Sequence, residues 1–293
     1  MTACEGYIPA DWPEGPNKAE AFRNKMKLIF SEQTADYIHY QFAYAIWAIP
    51  EPGETAGDIF EAGFLPSSRQ LDRFYLCRQI RLHLNEFQLS SENRRILRKG
   101  EGIAIQLVPR EEFDYTPARR TFFKNYADVK FGPNVMTCER LDSLFSNPII
   151  SHLLVYTDKT TGKEVGVATL YMEGSRLAYY YYAFYDLAYA NRSLGMFMMT
   201  SAAEILARKG VEQLYLGTCY SDRALYKTQF EGVQFFNGFK WSSNLEELKY
   251  LLQRHHTTDQ HLVEIEAYRN LFYDGSLSNI ISESRFKSPA SPA

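Results

Sequence analysis

Cysteine is scarce in this chain. Four occur in 293 residues, Cys4, Cys77, Cys138 and Cys219, and none forms a CxxC pair. That spacing argues against a disulfide framework and against a Cys-rich zinc or iron–sulfur site. Positive charge is not in excess: 32 Lys and Arg stand against 35 Asp and Glu, a formal net charge of -3. Bulk electrostatic binding to DNA or RNA is therefore not expected, while a local basic cleft stays open. Long apolar runs are missing too. The longest apolar-aromatic stretch, FAYAIWAIP at 42–50, is far short of the roughly 20 residues that span a bilayer. The start, MTACEGYIPADWPEG, lacks the basic run and apolar core of a secretion signal. No DNA partner, no membrane partner and a cytoplasmic setting are the resulting expectations.

Aromatic residues, by contrast, are abundant, with 21 Tyr and 20 Phe. They are densest in YYYYAFYD at 179–186. Apolar periodicity and punctuation divide the chain. Residues 20–34 read as a short helix, 36–49 as helix or strand, and 53–64 as a segment with a short helix. Residues 76–87 alternate as a half-buried strand, with Ile80, Leu82 and Leu84 on one face and Arg81, His83 and Asn85 opposite. Ser90 or Ser91 can cap a helix that Gly100 ends, and 103–109 is another strand. Helices follow at 115–127, with Pro117 in the first turn, and at 137–146. Residues 152–158 and 164–174 form a hairpin across KTTGK. A strand at 176–186, a helix at 193–210 capped by Ser193, a strand at 211–220, a short helix at 222–231, a strand at 235–241 and a helix at 245–254 complete the core. The Ser-rich end, 276–293, is expected to fray.

The order helix, helix, strand, strand, strand, helix, strand, helix, strand resembles an acetyltransferase-type domain. In that fold two central strands splay and leave a cleft for donor and acceptor. The expected class is α/β (α+β): a mixed acetyltransferase-like (GNAT/Fem-type) sheet plus a smaller N-terminal region. The expected divisions are a loose start at 1–19, an N-terminal transferase region at 20–110, a catalytic domain at 111–272 and a loose tail at 273–293.

Several segments, in order, resemble the aminoacyl-tRNA–protein transferases, the arginyl and leucyl enzymes of the N-degron pathways. They are IFEAGFLPSSRQLDRFY (59–75), RLHLNEFQLSSENRRILRKG (81–100), FYD (184–186), SLG (193–195), EILARKG (204–210), YLGTCYSDRALYKTQF (215–230) and GFKW (238–241). The resemblance covers roughly 50–250. It implies transfer of an amino acid from an aminoacyl-tRNA donor to the N-terminal amine of a protein or peptide, without a covalent enzyme intermediate and without a cofactor. The family's cysteine pairs, which bind zinc or an iron–sulfur cluster, are absent here: 36–50 has no Cys and 70–80 only Cys77. One thiolate does not hold a metal, so no metal site is expected.

Aminoacyl transfer needs a positioned amine, a route for its proton and stabilisation of the oxyanion. Asp186 can orient or deprotonate the amine, or instead simply steady the chain leaving the strand. Tyr185 and Tyr226 are candidate positioners or proton donors. Strand alternation puts Tyr180, Tyr182 and Phe184 on one face, and Tyr179, Tyr181, Ala183 and Tyr185 on the other. Ser193 and Gly195 open a helix whose free amides suit a phosphate, with Arg192 close by. Lys227 is a candidate contact to donor phosphate. Arg94, Arg95, Arg98 and Lys99 form a basic helical cluster suited to tRNA backbone, or else a solvated face. Two other functions compete: an acyl-coenzyme A-dependent N-acyltransferase, and a non-catalytic tRNA- or peptide-binding protein.

Overall fold

The computed structural model describes residues 26–32, 44–254 and 260–286; the expectation for 1–19 falls outside them. Two sheets organise the chain. The smaller is antiparallel, in the order β1 (Lys27–Glu32), β2 (Tyr44–Ile49), β4 (Phe74–Leu76), β3 (Phe64–Pro66). Helix α1 (Ala56–Glu61) leads into β3. The helix expected over 20–34 is thus a strand where it is described. KLIFSE finds a partner in β2, from Lys27↔Ile49 to Glu32↔Tyr44, and pairing overrides weak local propensity.

The larger sheet has eight strands in the order β12-β11-β5-β10-β9-β8-β7-β6. These are β5 (Gln79–His83), β6 (Ile103–Pro109), β7 (His152–Asp158), β8 (Glu164–Glu173), β9 (Leu177–Tyr185), β10 (Gln213–Thr218), β11 (Val233–Phe236) and β12 (Trp241–Ser242). Among the described strands, only β9 and β10 pair in parallel. β5 and β6 both precede residue 110, so this sheet crosses the division expected there. The mixed α/β class, with a smaller accessory region, matches expectation.

One face of the large sheet is covered by α2 (Ser91–Lys99), α5 (Leu194–Arg208), α6 (Leu245–Gln253), α7 (Glu266–Phe272) and α8 (Leu277–Glu283). The other face is shared. Helices α3 (Pro117–Lys130) and α4 (Cys138–Phe145) cover β6 to β9, while α1 and the small sheet cover β9 and β10. This double cover corrects the half-buried reading of β5. Arg81 is 5% exposed, and its guanidinium stacks 3.9 Å from the Trp241 ring centre.

Local signals explain several boundaries. Ser90 accepts from the Asn93 amide to cap α2, and Thr116 accepts from the Arg119 amide to cap α3. The strand expected at 235–241 is instead a tight hairpin, β11 to β12, because the Asn237 side chain accepts from the amides of Phe239 and Lys240. The short helix expected at 222–231 is a 3-10 run, Asp222–Thr228. The described part of the tail, to Phe286, does not fray. Leu277–Glu283 is helical, and Phe286 packs edge-on against Phe64 and Phe236.

Candidate active site

The site begins where the two parallel strands part. β9 and β10 pair only over Leu177–Tyr179 and Gln213–Tyr215. Beyond that, β9 runs on beside β8 to Tyr185, while β10 stays with β5 to Thr218. Two irregularities lie at the divergence. The β10–β5 register skips Leu216, beside Gly217 at φ +79°, a conformation that favours glycine. The β8–β9 register skips Tyr181.

The bulge at Tyr181 corrects the alternation expected for YYYYAFYD. Tyr180, Ala183 and Tyr185 pack on the α5 side. Tyr181, Tyr182 and Phe184 pack on the α3–α4 side, which Tyr185 also touches. Tyr180 and Tyr182 therefore do not share a face. The extra residue returns Tyr185 to the same side as Tyr180, facing the first turn of α5.

There Gly195 allows a close approach: a Cβ at that position would lie 3.0 Å from the Tyr185 hydroxyl. The Tyr185 ring also packs on Tyr126, with centroids 4.7 Å apart. Burial, then the Tyr185 hydroxyl, pushes the Tyr126 phenol well above its ordinary range. Tyr180 is 6% exposed, and its hydroxyl has no hydrogen-bond partner among the described residues. Burial raises its pKa, and the neighbouring phenols of Tyr156, Tyr226, Tyr126 and Tyr185 raise it further.

Ser193 does not cap α5. It adopts a left-handed conformation, φ 55°, and its side chain makes no capping bond. Its hydroxyl accepts instead from the Lys99 ammonium at 3.1 Å. The first turn of α5 holds no acidic residue, and Lys99 has no ion-pair partner among the described residues. A cation is thus held at the positive end of a helix, an arrangement that an anion would stabilise. The packing of α2 on α5 produces the juxtaposition: Gly100 sits so close to the Phe197 ring that a Cβ there would overlap it.

The remaining candidates are spread out. Lys227 donates to the Thr218 carbonyl at 2.9 Å, at the end of β10, and burial lowers its pKa. Tyr226, 46% exposed, stands beside it. Asp186 is turned away: its carboxylate accepts from Lys163 at 2.7 Å and from the Ala188 amide at 2.9 Å. Lys163, then that amide, holds its pKa below the usual carboxylate range. These contacts steady the chain as it leaves β9. Arg95 pairs with Glu92 at 2.6 Å, Arg94 donates to the Leu89 carbonyl, and both are exposed, as is Arg98. Arg192 ends a 3-10 run just before α5; its side chain is outside the described set. Cys219 is buried, and burial raises its pKa, as expected of a packing residue. No group of three His, Cys, Asp or Glu converges as a metal site among the described residues. No described helix is long and apolar enough to cross a membrane.

On the opposite face, Tyr181 packs 4.4 Å from Tyr182 and 5.2 Å from Tyr179, ring centre to ring centre. Arg140 and Arg69 lie within electrostatic reach of its phenol. Neither arginine stood out in the sequence. Only folding brings them near Tyr181.

No family model matches the chain. Its sequence is 24% identical over 174 residues to the aspartate/glutamate leucyltransferase of Ruegeria pomeroyi. The match covers 57% of this chain and 62% of that protein, so the chain spans less than two thirds of its relative. Among solved structures, FemX gives a TM-score of 0.38 at 13% identity, over 61% of this chain and 64% of that one. L-PGS from Bacillus licheniformis gives 0.37 at 12% identity, over 48% and 44%. The chain is a distant sequence relative of an aminoacyltransferase. The structural likenesses are loose.

Proposed function

We propose that this protein transfers an amino acid from aminoacyl-tRNA to the N-terminal amine of a polypeptide, with the reaction in the gap between β9 and β10. One observation carries the reading: the Lys99 ammonium, in no ion pair among the described residues, held at the uncapped first turn of α5 beside that gap. In this proposal the turn at Ser193–Gly195 and Lys99 take phosphate near the 3′ end of the donor. The exposed guanidinium groups of Arg98, Arg94 and Arg95 follow the backbone outward along α2, and Arg192 adds to them. Lys227 holds a further donor oxygen.

The donor ester is already activated, so no covalent nucleophile is required. The amine attacks the ester carbonyl, the C–N bond forms, the C–O bond to the ribose breaks, and the proton lost by the amine ends on the departing ribose oxygen, which leaves as a hydroxyl. Tyr180, Tyr185 and Tyr226 border the reacting atoms, where their hydroxyls donate to the developing oxyanion or to the departing ribose oxygen. Asp186 acts indirectly, by fixing the end of β9 that carries Tyr185. The acceptor enters from the Tyr181 face. Arg69 and Arg140 favour an acidic first residue there, in keeping with the relative's name.

The test incubates the protein with a charged tRNA pool and peptides bearing free or acetylated N-termini. Amino acid should appear on free N-termini, most on those beginning with Asp or Glu. Transfer from acyl-coenzyme A, with none from any tRNA, would sink the reading.

A further inference from the structure

Gln79 is the first residue of β5, wholly buried, and neither end of its carboxamide has a hydrogen-bond partner among the described residues. A buried amide left unpaired costs stability that an apolar side chain of similar size would not. Such costs concentrate at functional positions.

Its place in the sheet is informative. Ile80 and Leu82 point to the α5 side, so Gln79 and Arg81 point to the small-sheet side. There Arg81, Tyr215 and Tyr179 form one row across β5, β10 and β9. The last pair of the β5–β10 ladder is Gln79 with Thr218, beyond Tyr215, the last residue of β10 that pairs with β9. The unpaired carboxamide thus lies one strand from the gap, across β10 at the level where β10 has left β9, on the sheet face that the small sheet covers, where Tyr181, half-buried, also packs.

We propose that Gln79 is an acceptor-positioning residue: its carboxamide pairs with the first peptide group of a polypeptide whose N-terminus enters the gap from the small-sheet face. A primary amide offers a carbonyl acceptor and two N–H donors, the complement of a peptide N–H and C=O. It carries no charge, so it reads backbone rather than side chain. The acceptor class is therefore a polypeptide, not a free amino acid or a simple amine. Gln79 is wholly buried, so entry requires side chains on that face to turn aside while the strands stay in place. The inference rests on the proposed transfer to an N-terminal amine.

The experiment compares an acceptor peptide with its analogue carrying an ester in place of the first peptide bond, which removes the N–H. Binding to the full chain is measured by titration calorimetry without aminoacyl-tRNA. The wild type should bind the peptide about tenfold more tightly than the ester. Gln79→Met should bind both equally and melt no lower than wild type. Equal binding by the wild type, or an undiminished preference in Gln79→Met, overturns the proposal. If that variant does not fold, the wild-type ratio alone decides. Absent transfer with intact peptide preference would instead sink the reading of the reaction and leave Gln79 in its role.

Discussion

Replacing Lys99 with Met separates donor binding from folding. The Lys99 ammonium lies 3.1 Å from the Ser193 hydroxyl, half-buried, at the positive end of α5. A hydrogen bond from an ion is worth about 1.5–3 kcal/mol. Partial exposure and salt reduce this to about 1–2 kcal/mol. The KM for aminoacyl-tRNA should therefore rise roughly 5- to 30-fold, with kcat at saturating donor unchanged. The dependence of log K on log salt should flatten by about 0.7, the share of one phosphate contact on a single strand. The fold should not suffer. Lys99 faces the positive end of a helix, so its removal is neutral or stabilising by about 0.3–1 kcal/mol. Transfer kinetics at several salt concentrations, with thermal melts in parallel, check all three effects. A donor KM within about twofold of wild type, or a melting temperature several degrees lower, would refute the assignment of Lys99 to an anion.

Three further outcomes are expected. Burial lowers the Lys227 pKa below its ordinary 10.5, so the native state binds fewer protons than the unfolded one between the two values. Wild-type stability should then rise with pH through that window while donor affinity falls, and Lys227→Met should flatten both curves; parallel profiles for the two proteins would contradict this. Glu247, 2% exposed, accepts from Asn237 at 2.9 Å, Tyr268 at 2.6 Å, Tyr273 at 2.9 Å and Ser242 at 2.7 Å. Glu247→Ala takes the acceptor from three hydroxyls and leaves Asn237 only its bond to the Tyr273 hydroxyl, and it should cost about 3–5 kcal/mol in urea unfolding, whereas a loss below about 1 kcal/mol would show that the cluster does not pin α7 to the β11–β12 hairpin. Tyr180→Phe removes a buried hydroxyl that has no hydrogen-bond partner among the described residues, so its melting point should equal or exceed that of wild type while transfer slows; a clear drop in stability would mean that the hydroxyl has a structural role.

Much of the scaffold was legible in the residues. Ser90 and Gly100 bound α2, Pro117 opens α3, and KTTGK joins an antiparallel hairpin, because these signals act within a few residues of themselves. The segment at 27–32 was misread as helix because its strand state depends on a partner at 44–49. Ser193 was misread as a cap because its hydroxyl is claimed by Lys99, 94 positions away. The faces of YYYYAFYD were misassigned because one skipped residue opposite Thr169 and Leu170 reverses the order of sides. Strict alternation holds only while the neighbouring strand keeps register.

The sequence alone determined the mixed α/β class, most strand and helix positions, the scarcity of cysteine and the basic cluster on α2, since composition and short-range periodicity carry them. Tertiary structure decided where β9 and β10 part, which tyrosines face α5, and that Lys99 meets Ser193 while Asp186 turns to Lys163. Each of those outcomes depends on strand register or on the packing of one element against another. Such contacts join residues far apart in the chain, and no local pattern records them.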